Sequence, residues 1–295
     1  MRLLITTQAV DQNDPVLGFF VRWIEEFAKH CEQVTVICLR KGEYQLPQNV
    51  RIFSLGNGGK ISRAYKLVAG AYKFRNNYDA VFVHMNPEYL VAAGWLWRLL
   101  RKRTVLWYMH KSVDLKLRLA EFFVNAIVTG SPESFRLATK KLQVTGHGID
   151  TDFFTPDLAA ARGTHLLSVG RLNKSKRHDL AIELAANEGL ELRIAGEGPE
   201  RAGLEALAQK LRARVIFLGG LAQAQLRDEY RKAGTLIHRS ETGSLDKVVL
   251  EALACGLPVR TSDPALKPLE HEGPEYVRTR HSLKALIPAI LKNFA

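Results

Sequence analysis

Arg171 and Lys176 follow an apolar run, Leu166, Leu167 and Val169, that stops at Gly170. A guanidinium presents a rigid fork of donors and an ammonium a mobile point charge, so this pair, set where a strand gives way to a helix, suits a diphosphate. A second turn of the same kind lies about seventy residues on, in SETGSLDKVVLEALACGLP at 240–258. There Thr242, Gly243 and Ser244 lead through Leu245 into a helix expected over 245–254, whose first backbone N–H groups favour an anion. Lys247 adds a cation. Glu251, one turn further, can accept hydrogen bonds from ribose or sugar hydroxyls, or simply pair with Lys247.

The elements that must position these residues follow from hydrophobic periodicity. Strand-like runs alternate with helical patterns from the first residues onward, the signature of parallel sheets covered by helices on both faces. Strands are expected at 3–6, 34–39, 50–54, 80–84, 104–109, 126–129 and 142–145, with helices at 19–30, 62–76, 89–101, 116–124 and 132–138. The pattern breaks in the polar stretch that starts at Thr155-Pro156-Asp157, a linker that divides residues 1–155 from 156–295. Alternation then resumes, with strands at 164–169, 190–195, 215–218, 235–238, 259–260 and 276–277 and helices at 179–186, 199–211, 223–233, 245–254 and 282–293. The expected fold is α/β, two doubly wound Rossmann-like domains in tandem, with ligands in a crevice beyond the carboxyl ends of the strands.

Composition narrows the function classes. No window approaches 18 consecutive apolar residues, so a membrane-spanning helix is not expected, and the N-terminus MRLLITTQ lacks a signal-peptide cleavage pattern. Cys31, Cys38 and Cys255, odd in number and without CxxC spacing, read as reduced core residues of a cytosolic protein. The net charge of +12 is uneven: residues 1–155 hold 21 basic and 13 acidic side chains. An anionic partner of the first half is expected. The segment 95–103, WLWRLLRKR, mixes two tryptophans with four cations and suits peripheral contact with an anionic membrane, with a basic-ended core helix as the plainer reading. No helix-turn-helix, zinc or RNA-recognition signature accompanies the positive charge, and a nucleic-acid partner is not expected.

Five ordered blocks carry a resemblance. HGIDTDFFTP at 147–156, SVGRLNKSKRHDLAI, RIAGEGPERAGLEALA, VIFLGGLAQAQLRDEYRKA and LEALACGLPV together make the sequence similar to glycosyltransferase family 4, retaining nucleotide-sugar transferases of GT-B fold. The similarity is strong over residues 126–262 and weak over the first 125. It implies a nucleotide-diphosphate-sugar donor held by residues 156–295 and a saccharide or lipid-linked acceptor met by residues 1–155, as in cell-surface polysaccharide or glycolipid synthesis. Arg171 and Lys176 match the pair that holds the donor diphosphate. Glu251 matches the second of two family glutamates, whereas Gly243 stands where the first is expected. Glu241 or Asp246 is then the candidate substitute for sugar contact, or else the backbone amides of 242–245.

His110 matches a family histidine that faces the transferred sugar, and Gly18 resembles a glycine of the N-terminal loop. His147 and Asp150 read as fixing their own loop. Cleavage of a glycosyl phosphate builds negative charge on the departing diphosphate, which Arg171, Lys176 and the helix start can meet. No Asp-x-Asp pair stands at a strand end, so neither a metal nor another cofactor is expected, and retention of configuration is what the resemblance implies. The expected location is cytoplasmic, peripheral at the inner face of the membrane. A catalytically impaired binder of nucleotide-sugars, motivated by Gly243, an epimerase or phosphorylase of the same fold, and a basic nucleic-acid-binding protein, suggested by the positive charge, are the alternatives.

Overall fold

The computed structural model describes residues 1–159, 161–240 and 245–294, and divides the chain into two compact units. Unit 1 comprises Met1–Gly148 with Leu283–Ala295, and unit 2 comprises Ile149–Ser282.

Unit 1 is built on a seven-stranded sheet in the order β3-β2-β1-β4-β5-β6-β7, every pair parallel. The strands are β1 (Arg2–Val10), β2 (Gln33–Lys41), β3 (Val50–Ser54), β4 (Ala80–His84), β5 (Arg103–Trp107), β6 (Ala126–Thr129) and β7 (Leu142–Val144). Side chains alternate across a strand, and here both faces are buried. Leu3, Ile5, Val34, Val36, Phe82 and Val105 pack on one face against α1 (Phe19–His30). Leu4, Ile37, Val81, Val83 and Leu106 pack on the other, against α2 (Lys60–Lys73), α3 (Pro87–Leu99) and α4 (Leu115–Phe123).

Unit 2 repeats the plan with five parallel strands in the order β10-β9-β8-β11-β12. These are β8 (Leu166–Val169), β9 (Leu192–Ala195), β10 (Val215–Gly219), β11 (Thr235–His238) and β12 (Val259–Thr261). Helices α5 (His178–Glu188) and α6 (Arg201–Lys210) cover one face. The other carries α7 (Gln223–Lys232), α8 (Lys247–Ala254) and α9 (Pro274–Arg280). Each sheet reverses its strand order once, between β1 and β4 in unit 1 and between β8 and β11 in unit 2.

Four expectations change. The division falls at Gly148–Ile149, not after Thr155, because Ile149 pairs with Ser282 and Phe154 joins the core of unit 2. The last helix, α10 (Leu283–Leu291), belongs to unit 1 and not to the second half: Leu283, Leu286, Ile287 and Ile290 are buried with Trp23 and Phe27 of α1. Residues 276–277 are not a strand but lie in α9, which Pro274 opens at its first turn and whose Val277 is fully buried. The helix expected at 132–138 is a single 3-10 turn, Pro132–Ser134.

The cysteines are free and buried, and desolvation pushes Cys31 and Cys38 up to about 11 and Cys255 to about 12. All three are therefore poor nucleophiles at neutral pH. Among the described residues, no helix is long and apolar enough to cross a membrane. Within 95–103, Trp97 is fully buried and Lys102 Nζ donates to the Tyr78 carbonyl at 2.6 Å, so this part of the segment serves the core. Trp95, Arg98, Leu99, Arg101 and Arg103 remain at the surface.

Candidate functional site

In doubly wound sheets ligands bind beyond the carboxyl ends of the strands where the order reverses. In unit 2 that place is the end of β8 and of β11. Gly170 ends β8 at φ +151, a conformation that suits glycine. The chain then runs through Arg171, which is exposed, into a 3-10 turn at Lys174–Lys176. Asn173 caps that turn, its side chain accepting from the Lys176 N–H at 3.2 Å.

This loop rests on the one after β9. The Leu172 N–H donates to the Glu197 carbonyl at 2.9 Å, and a Cβ on Gly196 would lie 1.9 Å from the Gly170 carbonyl oxygen. Only glycine fits at 196, where φ is +148. Beneath, His178 is buried and its Nδ1 pairs with Ser168 Oγ at 2.9 Å. Desolvation pushes its pKa down to about 4, so it is a neutral prop at physiological pH.

Lys176 crosses to the other strand. Its Nζ sits 2.6 Å from Oδ2 of Asp246, the residue just before α8. The same oxygen lies 2.8 Å from Nε2 of His238, the last residue of β11. His238 is buried, and its Nδ1 faces Thr261 Oγ1 at 3.3 Å. Burial opposes ionisation of Asp246. The hydrogen bond with His238 and the charge of Lys176 outweigh it and hold the carboxyl at about 2. Lys176, Asp246 and His238 thus form one cluster at the strand-order reversal, with Arg171 on the loop from which Lys176 comes.

Asp246, expected as a sugar contact, is therefore engaged by Lys176 and His238. Glu251 is 2% exposed, with Lys247 Nζ 2.8 Å from its Oε1 and the Tyr230 hydroxyl donating to Oε2 at 3.2 Å. The ion pair with Lys247 is formed, in a buried setting. Leu245 packs partly buried on the α7–α8 core. Glu241, Thr242, Gly243 and Ser244 lie outside the described residues.

His110 belongs to unit 1, on the loop past β5. It is exposed, and its Nδ1 accepts from the Ser112 N–H at 3.1 Å, which leaves Nε2 to carry the proton in the neutral ring. Gly18 precedes α1 where a Cβ would meet the Asp14 and Gln12 carbonyl oxygens at 2.6 and 2.8 Å, so glycine is needed there for space. His147 packs against Gly130, and Asp150 Oδ1 accepts from the Asp152 and Phe153 N–H groups, each at 3.2 Å.

His238 was not singled out in the sequence. A lone histidine at a strand end reads as core, and its partner Asp246 lies eight residues away. Thr7 and His84 were also missed. They are buried where β1 runs past the end of β4, the corresponding place in unit 1, with Thr7 Oγ1 and His84 Nδ1 3.1 Å apart.

Residues 153–276 match the model of the family described as Glycosyl transferases group 1. A GDP-mannose-dependent alpha-mannosyltransferase of Mycobacterium tuberculosis is 27% identical over 206 residues, 66% of this chain and 47% of that protein. The sulfoquinovosyl transferase SQD2 of Arabidopsis thaliana is 27% identical over 205 residues, 63% of this chain and 39% of that protein. The chain thus spans less than half the length of these relatives. Among solved structures, sucrose-phosphate synthase of Thermosynechococcus elongatus superposes with a TM-score of 0.73 at 14% identity, covering 99% of this chain and 98% of that one. HepE of Anabaena in complex with UDP and glucose superposes at 0.68 and 18% identity, covering 100% and 91%. The fold is that of GT-B glycosyltransferases.

Proposed function

We propose that the protein is a retaining glycosyltransferase that moves a sugar from a nucleotide-diphosphate-sugar to a saccharide or lipid-linked acceptor, in cell-surface polysaccharide or glycolipid synthesis. The observation that carries this reading is the cluster of Lys176, Asp246 and His238 beside Arg171, at the strand-order reversal of the unit that the glycosyl transferase model matches. The similarity to transferases named for GDP-mannose and for sulfoquinovosyl transfer supports a sugar donor.

Departure of a nucleoside diphosphate concentrates negative charge on its phosphates. Donors already aimed at that charge stabilise the transition state without reorganisation. In this account Arg171 forks onto the diphosphate, and Lys176, held in place by Asp246, turns its ammonium to the leaving oxygen. His238 keeps Asp246 oriented as Lys176 shifts toward the phosphates. Glu251 exchanges Lys247 for a ribose or sugar hydroxyl. Retention and independence of a metal belong to the proposal, as does a location at the inner membrane face.

A transfer assay tests it. The protein is incubated with UDP-, GDP- and ADP-sugars and a bacterial lipid and saccharide extract, and the anomeric configuration of the product is read by NMR. Transfer with retention, unaffected by EDTA, is expected. Donor binding without any transfer would instead identify a catalytically impaired binder.

A further inference from the structure

Unit 1 holds a pocket of about 390 Å3 between α2 and α3. Leu39, Leu55 and Leu67 are among its apolar lining, and Lys60, Arg63 and Lys116 bring cations to it. Glu88, the one acidic lining residue among the described residues, is paired with Lys116. Arg63 Nε is buried and meets no acceptor among the described residues. Asn86, another lining residue, accepts from Gln8 Nε2 at 2.9 Å and so ties the pocket to the ends of β1 and β4, where the strand order reverses. The pocket therefore stands at the ligand-binding end of the sheet.

Its apolar character continues outside. Val91, Trp95 and Leu99 recur every four residues along α3 and form an outward stripe, 38%, 49% and 73% exposed. On the adjacent α4, Leu115, Leu119 and Phe122, four and then three residues apart, share a helical face and are also exposed. Arg98 lies over the Phe122 ring at 4.7 Å, and Arg101 and Arg118 are exposed. A wholly polar ligand would leave the leucines unmatched, and a neutral chain would leave Arg63 Nε without an acceptor. An anion joined to an apolar chain satisfies both.

We propose that this pocket is the acceptor site and binds the phosphate-bearing head of an anionic amphiphile, with Arg63 as anchor and the apolar chain along the α3–α4 stripe. The word acceptor rests on the transferase reading, while the binding itself does not. The test uses the full chain without any donor, titrated with dodecyl phosphate below its micelle concentration, with dodecyl maltoside and inorganic phosphate in parallel. Trp95 fluorescence is the readout, since Trp23, Trp97 and Trp107 are buried.

Saturable binding of dodecyl phosphate is expected, weakened at least tenfold in Arg63→Gln and in Ala92→Phe, which narrows the pocket without changing charge. Equal binding of dodecyl maltoside would reduce the face to a non-specific apolar surface and overturn the proposal. Binding of inorganic phosphate as tight as that of dodecyl phosphate would identify an anion site without a lipid and overturn it too, as would unchanged binding in both variants. The transferase reading fails separately, through loss of nucleotide-sugar binding by unit 2.

Discussion

Replacing Asp246 by asparagine keeps the shape of the cluster and removes its charge. The Asp246 side chain is 17% exposed, and one oxygen faces both Lys176 Nζ at 2.6 Å and His238 Nε2 at 2.8 Å. Its carboxyl is held at about 2, against an ordinary value of 3.8. At ~1.4 kcal/mol per unit this corresponds to ~2 kcal/mol of native stability. A depressed carboxyl stabilises fully above its unfolded pKa, and that stability is lost as pH falls through the folded one. The contribution is therefore complete at pH 7 and fades between pH 3.8 and about 2.

The four tryptophans, Trp23, Trp95, Trp97 and Trp107, all lie in unit 1, so the assay must be local: hydrogen exchange of amides in β11 and α8. Asp246→Asn should speed their exchange by roughly 30-fold at pH 7. Thermal unfolding of the two proteins should converge as the pH approaches 2. A change below ~0.5 kcal/mol, or an equal change in β1 and β4, would refute the reasoning from the cluster.

Other consequences follow from the same structure. Leu286→Ala or Ile290→Ala should cost unit 1 about 2–5 kcal/mol by opening the α1–α10 core, read as a lower urea midpoint of tryptophan fluorescence. No shift would mean that α10 is not part of that core. Gly196→Ala forces a methyl onto the Gly170 carbonyl and should weaken donor binding by displacing the Arg171 loop, measured by calorimetry against Gly203→Ala, whose Cβ meets nothing. His178, held near 4 against 6.5 in the unfolded chain, should cost unit 2 about 3 kcal/mol as pH falls from 6.5 to 4, because the unfolded chain takes up a proton that the folded one refuses. His178→Gln should roughly halve that slope, leaving the comparable share of His281, which burial also depresses to about 4. An unchanged slope would contradict the burial argument.

What the sequence made legible was set by the range of the interactions involved. Strands such as Val50–Ser54, Ala80–His84 and Thr235–His238 could be read directly, because β-branched and apolar runs between turn residues are local signals. The positions of Gly170, Arg171 and Lys176 followed from the same strand-to-helix turn. Their partners did not. The bond from Lys176 to Asp246 spans 70 residues and depends on strand order, which periodicity does not encode. The apolar residues of α10 announced burial but not against what, and only the fold shows them packed on α1. Trp95 and Trp97 are two residues apart, and which of them faces water was decided by the packing of α3 on the sheet.

The central claim is that Arg171 and Lys176 hold a donor diphosphate, and calorimetric titration tests it most directly. At least one of the UDP-, GDP- and ADP-sugars should bind the wild-type protein. Arg171→Ala and Lys176→Ala should each weaken it by roughly 10- to 100-fold, the value of a charge-assisted hydrogen bond. Binding of none of these donors, or equal binding by both variants, would contradict the account.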